Sequence, residues 1–202
     1  GHIWDVTSVA ISRDGKTAVS ASWDNTLIVW DLEKMNEKAC LQGHESWVNS
    51  VAISEDGRTA VSASNDSSVI VWDLEEMKEK ACLYDVECGC VLSVAISEDG
   101  KTAVSACTDE ILRVWDLEEM KEKAYLQGDE WETRSVVISR DGKTAVSGGA
   151  NKKLIVWDLE EMKEKAYLQG HESCVNSVAI SEDGKTAVSG SGDKTVRVWD
   201  LE

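Results

Sequence analysis

The sequence has no apolar run approaching the ~20 residues that a membrane-spanning helix needs, so no helical span is expected in it. Its first residues, Gly1-His2-Ile3, show no basic segment followed by an apolar one, so no secretory leader is expected in them. Basic charge is scarce. Twenty-one Lys and Arg stand against 38 Asp and Glu, a net charge of −17. A phosphate backbone requires a basic face, so nucleic acid is not expected as a main partner. Ser54 to Tyr84 alone carries seven acids and three bases, and this segment recurs along the chain, so the acidity belongs to a framework and favours solubility.

A cysteine pattern is also lacking. Cys40 and Cys82 occupy a slot that later copies fill with Tyr125 and Tyr167, and Cys88, Cys90, Cys107 and Cys174 have no common register. A structural bridge would recur with the repeat, so the six thiols are expected to be reduced, in a cytoplasmic compartment. Cys88-Gly89-Cys90 with Cys107 and Cys174 does not have the spacing of a zinc site, and neither a metal nor a cofactor is expected.

What the chain has instead is a period. Trp30, Trp72, Trp115, Trp157 and Trp199 follow one another at steps of 42, 43, 42 and 42 residues. The units run 1–42, 43–84, 85–127, 128–169 and 170–202. A unit of this length cannot bury its apolar face alone, so residues 1–202 are expected to stack into a single domain.

In the second unit, Val48–Ser54, Thr59–Ser64 and Val69–Trp72 are alternating or β-branched runs, which predict strands. Asp56-Gly57 joins the first pair, and the same dipeptide stands at 14–15, 99–100, 141–142 and 183–184. Ser64-Asn65-Asp66-Ser67 has the composition of a second turn. The next stretch, Asp73 to Lys80, is ambiguous. Leu74, Met77 and Ala81 are spaced for one face of a short helix. The absence of a Gly or Asn cap, and the few residues left before the next unit, favour a loop and a fourth strand over Lys80–Leu83.

Gly43-His44, then Ser50-Val51-Ala52-Ile53-Ser54-Glu55-Asp56-Gly57, then Val61-Ser62-Ala63-Ser64-Asn65-Asp66, then Val71-Trp72-Asp73, resembles the WD-repeat β-propeller family. The likeness covers the whole chain, and its near-identical copies are similar to the amplified arrays found beside signalling NTPase modules. The resemblance implies an all-β fold of four-stranded antiparallel blades, a to d from the inside outwards, set radially around a channel. Two departures stand out. The family commonly has seven blades and this chain has five units, and the fifth unit is expected to lack its outer strand. That leaves either a piece of a longer array or an unusual assembly, with an open edge that could pair with another chain as a homo-oligomer.

Three units hold a full set of His, Ser, Asp and Trp: His2, Ser20, Asp24 and Trp30; His44, Ser62, Asp66 and Trp72; His171, Ser189, Asp193 and Trp199. The residue types suggest a nucleophilic triad. The resemblance implies instead a buried hydrogen-bond network that ties each blade together, and three equal copies argue against an active site. Unit three has Val86 or Glu87 at the histidine slot, beside Ser105, Asp109 and Trp115. Unit four has Asp129 for the histidine and Asn151 for the aspartate, beside Ser147 and Trp157. These two blades are expected to be the least stable.

Variation among the copies gathers in two stretches. Around the start of strand a lie Asp5, Trp47, Cys90, Glu132 and Cys174, then Thr7, Asn49, Leu92, Arg134 and Asn176, with Trp4 and Trp131 nearby. In the b–c turn lie Trp23, Asn65, Thr108, Ala150 and Gly192, followed past the aspartate slot by Asn25, Ser67, Glu110, Lys152 and Lys194. In an up-and-down blade both stretches emerge at one end, whereas the a–b and c–d turns at the other end are expected to stay constant. Four of nine tryptophans fall in the variable set. The chain is thus expected to be a non-catalytic module that binds a protein or peptide through this face. Trp4, Trp23, Trp47 and Trp131 would anchor the partner, and Glu132, Arg134, Lys152 and Lys194 would set polar selectivity. A small-molecule or glycan ligand, and a structural array that assembles through open blade edges, are the alternatives.

Overall fold

The structure is a computed structural model that describes residues 1–84, 89–128 and 131–202. The substituted histidine slots at Val86, Glu87 and Asp129, and Cys88, lie outside the described residues.

The described residues form five antiparallel sheets and no helix. The first holds β1 (Val6–Ile11), β2 (Thr17–Ser22), β3 (Thr26–Asp31) and β4 (Asn36–Gln42) in that order. The second holds β5 (Val48–Ile53), β6 (Thr59–Ser64), β7 (Ser68–Asp73) and β8 (Lys78–Tyr84). The third holds β9 (Val91–Ile96), β10 (Thr102–Cys107), β11 (Ile111–Asp116) and β12 (Lys121–Gln127). The fourth holds β13 (Thr133–Ile138), β14 (Thr144–Gly149), β15 (Lys153–Asp158) and β16 (Lys163–Gln169). The fifth has three strands, β17 (Val175–Ile180), β18 (Thr186–Ser191) and β19 (Val196–Asp200). Strands β1, β5, β9, β13 and β17 lie side by side around a channel lined by Ile11, Ile53, Ile96, Ile138 and Ile180. This is the arrangement of propeller blades.

The ambiguous stretch after Trp72 is a turn and a strand. The Asp73 carboxylate accepts hydrogen bonds from the Glu75 and Glu76 amides at 2.9 and 2.8 Å. Met77 then takes a left-handed φ of 54° and sends the chain back as β8. The same device recurs at Met35, Met120 and Met162. A side chain that binds the backbone two residues on competes with helix formation, and here it overrides residues of good helix propensity. The a–b turn is equally built. Ser54 donates to Asp56 at 2.7 Å and accepts from the Thr59 amide at 3.0 Å, and Gly57 supplies φ of 69°.

The core lies between sheets rather than within them. Val19, Ala21, Leu27, Val29 and Leu41 of the first sheet pack on Val48, Val51, Ala60, Ile70 and Trp72 of the second. The contact repeats down the chain: Val61, Val69 and Val71 meet Val91, Val94 and Trp115, then Val104, Leu112 and Val114 meet Val136 and Trp157, then Val146, Leu154 and Val156 meet Val175 and Val178. Each joint buries several β-branched side chains worth about 1.5–3 kcal/mol each, which is why one unit cannot stand alone.

Cys107 is buried in the joint between the second and third sheets and is disulfide-bonded. This corrects the expectation of a fully reduced set. Comparing copies reveals only what recurs, and this bond is not made in every unit. Cys40, Cys82, Cys90 and Cys174 are free thiols. Among the described residues no three His, Cys, Asp or Glu side chains gather as metal ligands, and no helix is long and apolar enough to cross a membrane.

Candidate interaction face and the network beneath it

The network is continuous in three sheets. The Trp72 indole N–H donates to Ser62 Oγ at 2.8 Å, Ser62 Oγ lies 2.7 Å from His44 Nε2, and His44 Nδ1 lies 2.8 Å from Asp66 Oδ2. The first sheet repeats it through Trp30, Ser20, His2 and Asp24 at 2.9, 2.8 and 2.9 Å. The fifth repeats it through Trp199, Ser189, His171 and Asp193 at 2.8 Å for each contact. One assignment satisfies every member: the serine accepts from the indole and donates to Nε2, and the neutral imidazole donates from Nδ1 to the carboxylate. Ser20, Ser62 and Ser189 are buried, so their hydroxyls are structural links with no access to a substrate.

The aspartates also hold the variable loops. Asp24, Asp66 and Asp193 accept the amides of Ile3, Glu45 and Glu172 at 3.0, 2.9 and 2.9 Å. They accept a hydroxyl from Thr26, Ser68 and Thr195 as well. Burial pushes the Asp24 carboxyl up, but the bonds from Thr26, Ile3 and His2 outweigh it and bring it down to about 2. Asp66 is held lower still, the bonds from His44 and Ser68 exceeding the effect of burial. At Asp193 the Thr195 hydroxyl is the largest cause of a similar fall.

The third sheet replaces the histidine. Arg113, buried in β11, sets Nη2 at 2.7 Å from Asp109 Oδ2, while Trp115 still donates to Ser105 at 2.8 Å. The arginine stands where the first, second and fourth units have Ile28, Ile70 and Ile155. Unit five has Arg197 at the same slot beside an intact histidine, so the sequence carried no signal that singles out Arg113. In the fourth sheet Trp157 keeps Ser147 at 2.9 Å, and Asn151 caps the Lys153 amide at 3.1 Å.

The two variable stretches meet in every unit. The amides of Trp23, Asn65, Thr108, Ala150 and Gly192 donate to the carbonyls of Asp5, Trp47, Cys90, Glu132 and Cys174 at 2.9–3.0 Å. Trp4, Trp47 and Trp131 are exposed, at 66, 48 and 60% of their surface. Trp23 is half-buried and stacks on Trp47 across the joint between the first two sheets, with centroids 4.9 Å apart. Lys152 and Lys194 are exposed at positions of φ 65° and 70°, in the left-handed slot that Asn25, Ser67 and Glu110 share.

Other members of the set serve the scaffold. Thr7 Oγ1 lies 2.6 Å from the Val48 carbonyl, and Asn49 Nδ2 donates to Asn65 at 2.7 Å and to the Val91 carbonyl at 2.8 Å. Arg134 pairs with Glu132 at 2.6 Å and reaches Asn176 of the next sheet at 3.3 Å. Cys90 and Thr108 bond one another, amide to hydroxyl, at 3.2 Å, and Leu92 is half-buried.

The opposite channel mouth departs from the expected constancy at one position per turn. Arg13, Glu55, Glu98, Arg140 and Glu182 ring a cavity of about 320 Å³. Arg13 reaches Glu98 at 2.8 Å and also pairs with Glu55, and Arg140 pairs with Glu98 and lies 3.6 Å from Glu55 and 3.5 Å from Glu182. These charges satisfy one another across sheets.

Five repeated sheets, each tied by tryptophan, serine and, in three cases, histidine and aspartate, define a β-propeller. The sequence matches the family described as "WD domain, G-beta repeat" at residues 1–31, 35–73, 80–116, 121–158 and 162–200, and the chain belongs to that WD40 family. It is similar to the small ribosomal subunit protein RACK1 of Dictyostelium discoideum, 56% identical over 34 residues, which are 17% of this chain and 10% of that protein. The Candida albicans protein of the same name is 61% identical over 33 residues, 16% of this chain and 10% of its own length. A component of chromatin assembly factor 1 from Mus musculus is 40% identical over 48 residues, 24% of this chain and 8% of that protein. The aligned segments thus span about a tenth of these relatives.

Proposed function

We propose that this chain is a non-catalytic recognition scaffold that binds a protein or peptide through the face made by its d–a and b–c loops. The observation that carries the reading is the set of tryptophans on those loops. Trp4, Trp47 and Trp131 expose large apolar rings, and the Trp23–Trp47 pair forms a stacked platform. Exposed tryptophan costs solubility and is enriched where partners bind tightly. In the first and second blades the network ties both loops to the blade, so Trp4, Trp23 and Trp47 start from a rigid base and less ordering is required on binding. Glu132, Arg134, Lys152 and Lys194 lend this face an uneven charge, which suits one asymmetric partner better than five equal sites. The names of two relatives place them in a ribosomal subunit and a chromatin assembly factor. Both names are those of parts of larger assemblies, in keeping with a recognition role here.

The test is selection of peptides from a random display library against the chain, followed by affinity measurement on the variant W4A/W47A/W131A. Selected peptides should bind the native chain and lose tenfold or more on the variant. Equal affinity for both proteins, or a glycan array that yields ligands where peptides yield none, would overturn the reading.

A further inference from the structure

On the loop face, the b–c turn of one sheet meets the loop before strand a of the next. Trp23 stacks on Trp47 at the first joint, with centroids 4.9 Å and planes 25° apart, and at the second joint Cys90 Sγ lies 3.9 Å from the Asn65 carbonyl. The same slots hold Thr108 and Glu132 at the third joint and Ala150 and Cys174 at the fourth, so only the first joint fills them with aromatic rings. A third slot reaches across the joint from the earlier sheet. Thr7 Oγ1 donates to the Val48 carbonyl at 2.6 Å, Asn49 Nδ2 donates to the Val91 carbonyl at 2.8 Å, and Arg134 Nη1 lies 3.3 Å from Asn176 Oδ1. The fourth joint therefore has a guanidinium and no ring. The first has two rings and, in Thr7, a short side chain whose hydroxyl is turned to the backbone.

Charge on this face is divided in the same sense. The loop segments of the first two units, 1–7, 22–26, 42–49 and 64–68, contain Asp5, Asp24, Glu45 and Asp66 and neither lysine nor arginine. Arg134, Lys152 and Lys194 lie in the fourth and fifth units. The loop that carries Trp47 also borders a cavity of about 280 Å³ lined by Glu45, Asp66 and Tyr84. A cation that meets the loop face is thus drawn to the half that holds the stacked tryptophans, and the net charge of −17 adds to the attraction at longer range.

We propose that the Trp23–Trp47 joint is a subsite for the arginine side chain of a basic peptide, whose guanidinium lies flat on the exposed indole of Trp47. The proposal rests on the reading of the loop face as a recognition surface and adds the chemistry of the partner. Tryptophan is the strongest of the aromatic side chains toward a cation. The guanidinium is planar and weakly hydrated, so it stacks on a ring at less cost than the compact, strongly hydrated ammonium of lysine. Trp47 is 48% exposed, and the half-buried Trp23 backs it from across the joint. The platform is therefore already ordered, and little side-chain freedom is lost when the cation arrives. An uncharged side chain of the same shape would cover the ring but gain nothing from the acidic loops around it.

The probe is an array of synthetic peptides with a fixed central arginine and randomised flanks, screened against the full chain. The tightest binders are remade with citrulline, lysine or norleucine at the fixed position and measured by fluorescence anisotropy at low and high salt. Arginine peptides should bind about fivefold or more tightly than their citrulline counterparts, which keep the planar shape without the charge, and lysine should fall between them. The advantage should shrink at high salt. It should be lost on W47A, whose folding is checked by circular dichroism, and on W47L, which keeps apolar bulk at the site and serves if W47A does not fold. Equal affinity for arginine and citrulline peptides would overturn the proposal, and so would a preference that survives on W47A or W47L. If those peptides still bind the native chain and are lost on W4A/W47A/W131A, the wider recognition reading stands without this subsite. An array in which no peptide binds, whatever its central residue, would overturn both.

Discussion

The guanidinium of Arg113 lies 2.7 Å from Oδ2 of Asp109, the same carboxylate oxygen that meets a histidine in the first, second and fifth sheets. One buried cation thus takes the place of the imidazole at this carboxylate. Replacing it by the isoleucine of its sibling units should leave Asp109 without this partner. R113I is expected to destabilise the chain by about 1–3 kcal/mol in urea unfolding. R197I, at the equivalent but exposed position of the fifth sheet, should stay within about 0.5 kcal/mol of the native value. Equal effects would mean that burial of the guanidinium is not what matters.

The fourth unit has Asp129 and Asn151 where the complete units have histidine and aspartate. Introducing D129H and N151D together recreates the pair that joins His171 to Asp193 at 2.8 Å. The double variant should gain about 1 kcal/mol, visible as a higher melting temperature. Either change alone should gain less, because each partner needs the other. A lower melting temperature for the pair would show that this blade is tied in another way.

Acid should loosen the complete blades. Asp24, Asp66 and Asp193 are all held below the ordinary carboxylate value of 3.8, Asp24 at about 2. A carboxyl whose folded value is depressed stabilises the fold above its unfolded value, and that contribution disappears as pH falls through the folded value. Stability owed to Asp24 should therefore be complete above about pH 4 and fade toward about pH 2. Urea midpoints of D24N and D66N should lie below the native midpoint at neutral pH, and the gap should narrow on acidification across that window. A gap that stays constant would rule out ionised aspartates as the linked groups.

Two residues of the variable set should behave differently from one another. Asn49 bridges Asn65 and the Val91 carbonyl, so N49A should cost about 1–2 kcal/mol in thermal or urea unfolding. W4A, which removes an exposed ring, should stay within about 0.5 kcal/mol of native stability. If N49A proves neutral while W4A unfolds the chain, the division between scaffold and surface drawn from the contacts is reversed.

Much of the fold was legible in the sequence because it is written five times. Recurrence of Asp-Gly, of Val-Trp-Asp and of alternating strands marked the strands and their order, and each is a local property of a few residues. The fourth strand was harder. Its residues favour a helix, and the Asp73 turn with the left-handed Met77 reverses that preference through contacts that propensity does not include. The network residues of three units could be named from their register alone, but not Arg113, which acts in one unit only.

The variable set marked where the copies differ, and composition alone could not sort it. Trp4, Trp47 and Trp131 project into solvent, whereas Thr7 and Asn49 bond the neighbouring sheet. The bond at Cys107 follows no register of the repeat, and the charges from Arg13 to Glu182, which share one slot of the repeat, are brought within pairing distance only by the ring of sheets. The sequence by itself determined the repeat, the blade and the family, because periodic patterning acts over short distances along the chain. Only the tertiary structure decided which face of each blade is covered and which is open. Burial depends on what the next sheet brings across a joint, and equivalent valines are sealed at four joints and exposed at Val9 and Val198.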